Sequence, residues 1–194
     1  STLRIVGGRS RGRRIRYSGD DRVRPMKDRT REAVFNLVGP EVVGTHVWDL
    51  FAGTGAMALE ALSRGAKRAT LIERHIPTAK LIQQNVNDLQ LEDRVVVHRA
   101  DTFIWIRNAL VSDRQPEWPV ERWLVFCCPP YAFYEERQEA IHEMLTCLKD
   151  AAPVDSLIVV EAERPFDLPP LWPAKWSVRD YHPATVGIYR KLDD

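Results

Sequence analysis

The chain has 194 residues, 44% of them hydrophobic, and a formal net charge of +1, which suffices for one domain spanning 1–194 with a full core. No apolar run is long enough to span a bilayer and no charged-then-apolar leader opens the sequence, so a soluble cytoplasmic protein is expected and a membrane protein is not. Three cysteines, Cys127 beside Cys128 and Cys147 apart, match neither a disulfide framework nor zinc-ligand spacing, and no metal is expected.

The near-neutral total hides an asymmetry. Residues 1–31 hold 11 Lys/Arg against 3 Asp/Glu, net +8, which leaves 17 against 24, net −7, for residues 32–194. A basic extension of this kind is the electrostatic footprint of a polyanion. Its arginines (Arg4, Arg9, Arg11, Arg13, Arg14, Arg16) favour forked contacts to phosphates over point charges, so residues 1–31 are read as a nucleic-acid-binding extension. Residues 3–8 and 13–17 alternate like strands around the glycine-containing stretch 7–12, which predicts a basic hairpin rather than a solvated tail. The run Arg24-Pro25-Met26-Lys27-Asp28-Arg29-Thr30-Arg31-Glu32 then leads into a helix with Ala33, Val34, Leu37 and Val38 on one face, capped by Asp28 or Thr30. Arg24, Arg29 and Arg31 fit either a substrate groove or the solvated face of an amphipathic helix, and the pattern leaves both open.

From residue 46 onward the periodicity alternates. Strands are expected near 46–50, 68–73, 94–98, 123–127 and 156–161, with helices near 56–64, 76–89 and 134–148 and another opening near Thr102. That βαβ order predicts an α/β fold, a mostly parallel sheet with helices on both faces and ligands at the carboxyl ends of its strands. Residues 176–181 and 185–191, separated by a short turn, predict an antiparallel edge pair. Pro165, Pro169, Pro170 and Pro173 before them predict an extended surface connection.

Two motifs carry chemistry. In Trp48-Asp49-Leu50-Phe51-Ala52-Gly53-Thr54-Gly55 a buried strand ends in a carboxylate and a glycine turn opening a helix. Gly53 and Gly55 let backbone approach a nucleotide cofactor. The same glycines would suit a dinucleotide. Asp49 decides for S-adenosylmethionine, because an acid ahead of the turn repels pyrophosphate and attracts a cationic methionine end. Glu73, eighteen residues after Gly55, is placed for ribose hydroxyls in either case. Asp101 is placed for the adenine amine, for capping the helix at Thr102, or for both. The second motif is Cys128-Pro129-Pro130-Tyr131, straight after the fourth strand. In an amino-methyltransferase such a rigid turn stacks a flipped base on its ring, while the residue before the prolines and the first proline carbonyl accept hydrogen bonds from an exocyclic amine; the alternative is an ordinary proline turn with a packed tyrosine.

These residues resemble the RsmD family of 16S ribosomal RNA guanine-N2 methyltransferases over nearly the whole chain. The likeness rests on Leu3-Arg-Ile-Val-Gly-Gly, Arg24-Pro25, Asp28-Arg29, Arg31-Glu32, Phe35-Asn36 and the glycine motif. Glu60-Ala61, Ser63-Arg64-Gly65-Ala66, Glu73, Asn85, Asp101, Pro129-Pro130-Tyr131 and a strand ending in Glu161 extend it. The resemblance implies a Rossmann-like class I methyltransferase fold, S-adenosylmethionine held by Asp49, Phe51, Gly53, Gly55, Glu73 and Asp101, and action on a guanine of 16S rRNA within small-subunit particles; a monomer is expected. It implies catalysis at Cys128, Pro129, Pro130 and Tyr131, and RNA contacts from the arginines of the extension. One position departs: the family has Asp or Asn where this chain has Cys128, and a thiol is a poor hydrogen-bond acceptor. Two other readings therefore stay open, a nucleic-acid-binding homologue with weakened turnover and a methyltransferase acting on DNA adenine N6 or, through a cysteine adduct, on an RNA carbon.

Overall fold

The computed structural model describes residues 1–21, 23, 25–111, 121–163 and 176–193; Arg24 and the proline-rich stretch 165–173 lie outside the described residues. A two-stranded hairpin, β1 (Thr2–Arg4) and β2 (Arg14–Arg16), comes first, followed by α1 (Asp28–Val38). The chain then alternates through β3 (His46–Asp49), α2 (Ala56–Ser63), β4 (Arg68–Ile72), α3 (Ile76–Asp88), β5 (Val95–His98), α4 (Thr102–Val111) and β6 (Trp123–Cys127). It closes with α5 (Phe133–Glu136), α6 (Gln138–Ala151), β7 (Leu157–Ala162), β8 (Ser177–Tyr181) and β9 (Ala184–Arg190). The main sheet has the order β5-β4-β3-β6-β7-β9-β8. Its first five strands are parallel, and β9 runs antiparallel to both β7 and β8, as the alternation and the short final turn predict. Among the described residues no helix is long and apolar enough to cross a membrane.

Every residue of β3 and β6 is buried, the pattern of strands covered on both faces. Alternate side chains feed two cores. Val47, Leu71, Leu124, Phe126 and Val159 meet α1, α2, α3 and the hairpin, whereas Trp48, Ile72, Val125, Cys127 and Val160 meet α4 and α6.

The N-terminal hairpin is part of the first of these cores. Ile5 and Ile15 are each 1% exposed. Glu60 on α2 accepts the backbone N–H groups of Val6 and Gly7 at 2.8 and 2.9 Å, and Asn85 on α3 exchanges two hydrogen bonds with the Arg16 backbone. The turn passes so close to α2 that a Cβ on Gly8, whose φ is +77°, would lie 2.0 Å from the Ser63 carbonyl oxygen; only glycine fits there.

Two local expectations need correction. Neither Asp28 nor Thr30 caps α1, because the helix begins at Asp28 itself with Lys27 at the N-cap and no side-chain cap bond; the Asp28 carboxylate pairs instead with Arg4 and Arg31. The helix expected over 134–148 is two helices broken at Arg137, whose φ of −131° and ψ of 37° leave the helical region. The first turn of α5 is anchored on the proline turn through Phe133 N–H to Pro130 O at 2.9 Å. Restarting at Gln138 lets α6 turn Ile141, Met144, Leu145 and Leu148 inward.

Candidate active site

Sheet order reverses at β3, which lies between β4 and β6. A crevice opens at such a switch point beyond the carboxyl ends of the strands. The turn after β3 and the turn after β6 therefore stand side by side, with Leu50 N–H bonded to Phe126 O at 3.1 Å.

The two glycines of the first turn differ in role. Among the described residues a Cβ on Gly53 (φ +55°) would meet only Val23, at 3.7 Å, an ordinary contact, whereas one on Gly55 (φ +78°) would press on Ile82 at 3.2 Å. Gly55 thus allows close packing of the turn against α3, and its N–H is bonded to Ala52 O. Asp49, expected to meet the cationic methionine end, lies deep in the fold. It is 2% exposed beneath the turn, where its Oδ2 accepts the Ala58 N–H in the first turn of α2 at 3.3 Å. Burial pushes its carboxyl up to about 8, with the charge of Glu73 acting in the same direction and the Ala58 N–H opposing.

Glu73, at the tip of β4, ties the turn down. Its Oε2 accepts the Gly53 N–H and its Oε1 the His75 N–H, each at 2.9 Å, and each oxygen keeps a further lone pair for a hydroxyl. Asp101 takes the capping alternative: Oδ1 accepts the Ile104 N–H at 3.1 Å, three residues into α4, and Oδ2 lies 3.8 Å from Arg137. Phe51 stands edge-on to Phe103 and Phe133, and the Arg137 guanidinium lies 4.2 Å from the Phe103 ring centre. No linear spacing linked Phe103, Phe133 or Arg137 to this place.

At the second turn Pro129 is buried and Pro130 and Tyr131 reach the surface. Tyr131 is 37% exposed, and its hydroxyl donates to Glu161 Oε1 at 2.7 Å. Glu161, on β7, is the site residue to which sequence reasoning gave no role, although an acid at a strand's carboxyl end was the signal used for Asp49, Glu73 and Asp101. Burial pushes its carboxyl above the usual carboxylate range, with the Tyr131 hydroxyl opposing. Cys128 sits opposite it across the β6–β7 pair. Its thiol is pushed well above the ordinary range by burial, and then by the charges of Glu161 and Asp49 and by Cys127, while the Glu161 backbone N–H opposes. A thiol held neutral is not the activated nucleophile that a cysteine-adduct mechanism requires.

The arginines of the extension divide. Arg4, Arg9, Arg11, Arg13, Arg14 and Arg29 are exposed. Arg31, in contrast, is 1% exposed; its Nε bonds to Glu60 Oε1 at 3.2 Å, and its Nη2 donates to the Arg4 carbonyl and to Asp28. It is a buried strut between hairpin, α1 and α2 and not a residue of the substrate groove. The extension also reaches the glycine turn, where Arg16, Tyr17, Val23 and Gly53 line one shallow surface dent.

This sheet order, with a glycine turn over an acid at the switch point, defines a class I methyltransferase fold. The same fold is seen in an RNA methyltransferase from Salinibacter ruber solved in complex with S-adenosyl-L-homocysteine, at a TM-score of 0.60 and 15% identity over 88% of this chain and 95% of that one. A family model described as conserved hypothetical protein 95 matches residues 3–189. Ribosomal RNA small subunit methyltransferase D of Escherichia coli K12 is 34% identical over 190 residues, which cover 97% of this chain and 88% of that protein. The solved structure of yhhF from Escherichia coli superposes with a TM-score of 0.79 at 29% identity, over the whole of both chains. The chain belongs to this family, the RsmD family.

Proposed function

We propose that this protein transfers a methyl group from S-adenosylmethionine to the exocyclic N2 of a guanine in 16S rRNA, acting as a monomer on small-subunit particles in the cytoplasm. The observation that carries this reading is the adjacency, at the switch point, of a glycine turn over a buried acid and a rigid Pro-Pro-Tyr turn. The relative named small subunit methyltransferase D, matched over 97% of the chain, supports the choice of RNA.

The residues present fit the cofactor. Among the described residues nothing crowds Gly53 closer than ordinary contact, which suits backbone approach, Asp49 offers a buried carboxyl to the cationic methionine end, and Glu73 retains acceptor capacity for ribose hydroxyls. Phe51, with Asp101 at the start of α4, flanks a place for adenine. When bound, S-adenosylmethionine supplies an already activated methyl group, so the protein's part is chiefly orientation. Tyr131 offers its exposed ring to the target base, and the Pro129 carbonyl accepts one amine proton as a hydrogen bond. Buried within the turn, Pro129 holds that carbonyl rigid.

The test is mass mapping of rRNA from cells lacking the protein. One guanine of 16S rRNA is expected to lose a methyl group there and to regain it on incubation with purified protein and S-adenosylmethionine. An unchanged methylation map would overturn the assignment.

The basic extension is expected to make binding steeply salt-dependent, because its arginines displace counterions condensed on RNA. Removing the hairpin would also open the core at Ile5 and Ile15, so charge substitution is the cleaner probe. Arg9, Arg11 and Arg14 changed together to glutamine should weaken binding to all RNA sequences alike and lower the slope of log affinity against log salt by roughly one for each phosphate no longer neutralised. Filter binding between low and moderate salt measures this, and an unchanged slope would place the RNA elsewhere.

A further inference from the structure

Cys128 leaves the target amine short of one acceptor, since a neutral thiol accepts poorly and the Pro129 carbonyl can take only one of the two amine protons. A carboxylate stands next to that thiol. Strand pairing of Cys127 with Val160 puts Glu161 level with Cys128. Cys128 and Glu161 follow Cys127 and Val160, whose side chains enter the α4–α6 core, so by alternation both lie on the opposite face, where Cys128 packs. The Glu161 N–H meets the Cys128 sulphur, and Glu161 Oε1 is already 2.7 Å from the hydroxyl of Tyr131, whose ring would carry the base. Tyr134 on α5 donates to the Glu161 backbone carbonyl at 2.6 Å, which fixes the strand end without consuming the carboxylate.

We propose that Glu161 is a catalytic residue of this site, its carboxylate accepting the second amine proton of the guanine in place of the Asp or Asn that Cys128 displaces. The inference rests on the methyl-transfer reading above. In the step, the N2 lone pair forms the new bond to the methyl carbon, the carbon–sulphur pair returns to sulphur to leave an uncharged thioether, and one N2 proton passes to the Glu161 carboxylate and on to water. Oε1 stays bonded to Tyr131, so one residue both aims the stacking ring and receives the proton.

The groups facing Glu161 among the described residues are the hydroxyls of Tyr131 and Tyr134 and the thiol of Cys128, with Asp49 acting on that thiol from β3. None of these is cationic. Burial holds the carboxyl above the usual carboxylate range, with the Tyr131 hydroxyl opposing, and the rate should climb with pH as it ionises.

The experiment compares wild type, Glu161→Gln, Glu161→Ala and the double variant Glu161→Gln with Cys128→Asn on unmodified small-subunit RNA across pH. Affinity for RNA fragments carrying guanosine or inosine at the target is measured alongside, because inosine lacks the amine. Glu161→Gln should slow transfer about tenfold to somewhat over a hundredfold, the worth of one hydrogen bond to a charged acceptor, and erase the rise with pH. Adding Cys128→Asn should restore part of the rate, and Glu161→Ala should reduce the preference for guanosine over inosine in binding to what the Pro129 carbonyl alone supplies. Tyr131→Phe, which removes the bond to Glu161 but leaves the carboxylate, should cost less than Glu161→Ala. An active wild type with Glu161→Gln unchanged in rate and pH profile, or a double variant that Cys128→Asn does not rescue, would overturn the role of Glu161. A wild type inactive on every rRNA guanine would overturn the methyl-transfer reading instead.

Discussion

Glu60→Ala should lower the free energy of unfolding by about 3–5 kcal/mol, the usual cost of stripping one partner from a buried ion pair. Glu60 is 0% exposed and accepts from four donors: the Val6 and Gly7 N–H groups, Arg31 Nε at 3.2 Å and Arg64 Nε at 3.0 Å. Its loss would strip the Arg31 guanidinium, 1% exposed, of its buried carboxylate partner and leave it the half-exposed Asp28, and would free two hairpin amides in a region closed to water. A domain of this kind is stable by only about 5–15 kcal/mol, so a melting temperature lower by roughly 10 °C is expected. RNA affinity should fall with it, because the arginines of β1 and β2 are held in place through Glu60. Urea denaturation followed by circular dichroism measures the first effect. A loss under about 1 kcal/mol would mean that Ile5 and Ile15 dock the hairpin without help.

The second large effect concerns Asp49. With its carboxyl pushed up to about 8 by burial, the free protein holds this group mostly protonated at neutral pH. A cationic methionine end beside it favours the ionised form, so binding should release up to one proton near pH 7. Affinity for S-adenosylmethionine should therefore rise, by as much as about tenfold per pH unit, between roughly pH 5.5 and 7.5. Asp49→Asn should remove both the slope and the proton release and weaken binding by about 2–5 kcal/mol, or roughly thirtyfold and upward. The same group acts on stability in the other direction. The unfolded carboxyl ionises near its ordinary 3.8 while the folded one stays protonated to about 8, so its contribution is complete at low pH and is lost as pH rises through that window. Titration calorimetry in two buffers of different ionisation enthalpy counts the proton. Binding that is indifferent to pH and buffer would rule out Asp49 as the partner of the cation.

The linear order of residues determined a good deal of this. Alternation of apolar runs with helical periodicity dictates the parallel α/β sheet, because a strand buried on both faces has to be nearly all apolar, and β3 and β6 are. The antiparallel edge pair, the hairpin and the start of α4 at Thr102 follow from signals that span a few residues. The glycine turn, the Pro-Pro-Tyr turn and the acids of β3, β4 and β5 can likewise be read where they stand, since backbone conformation and strand ends are local matters.

What only the tertiary structure decided is which groups those side chains meet. Arg31 and Arg29 are two residues apart on one helix, yet the first is buried on Glu60 and the second is exposed, a division set by where α2 lies against α1. Gly53 and Gly55 look alike in sequence, but the packing of α3 crowds Gly55 with Ile82 and leaves Gly53 only an ordinary contact among the described residues. That Asp49 is buried and also accepts the Ala58 N–H in the first turn of α2 is set by where α2 lies. Glu161 lies 33 residues from Cys128 and adjoins it solely because β7 pairs with β6. Burial and charge at a point in space depend on every element that converges there, and no spacing along one chain encodes that convergence directly.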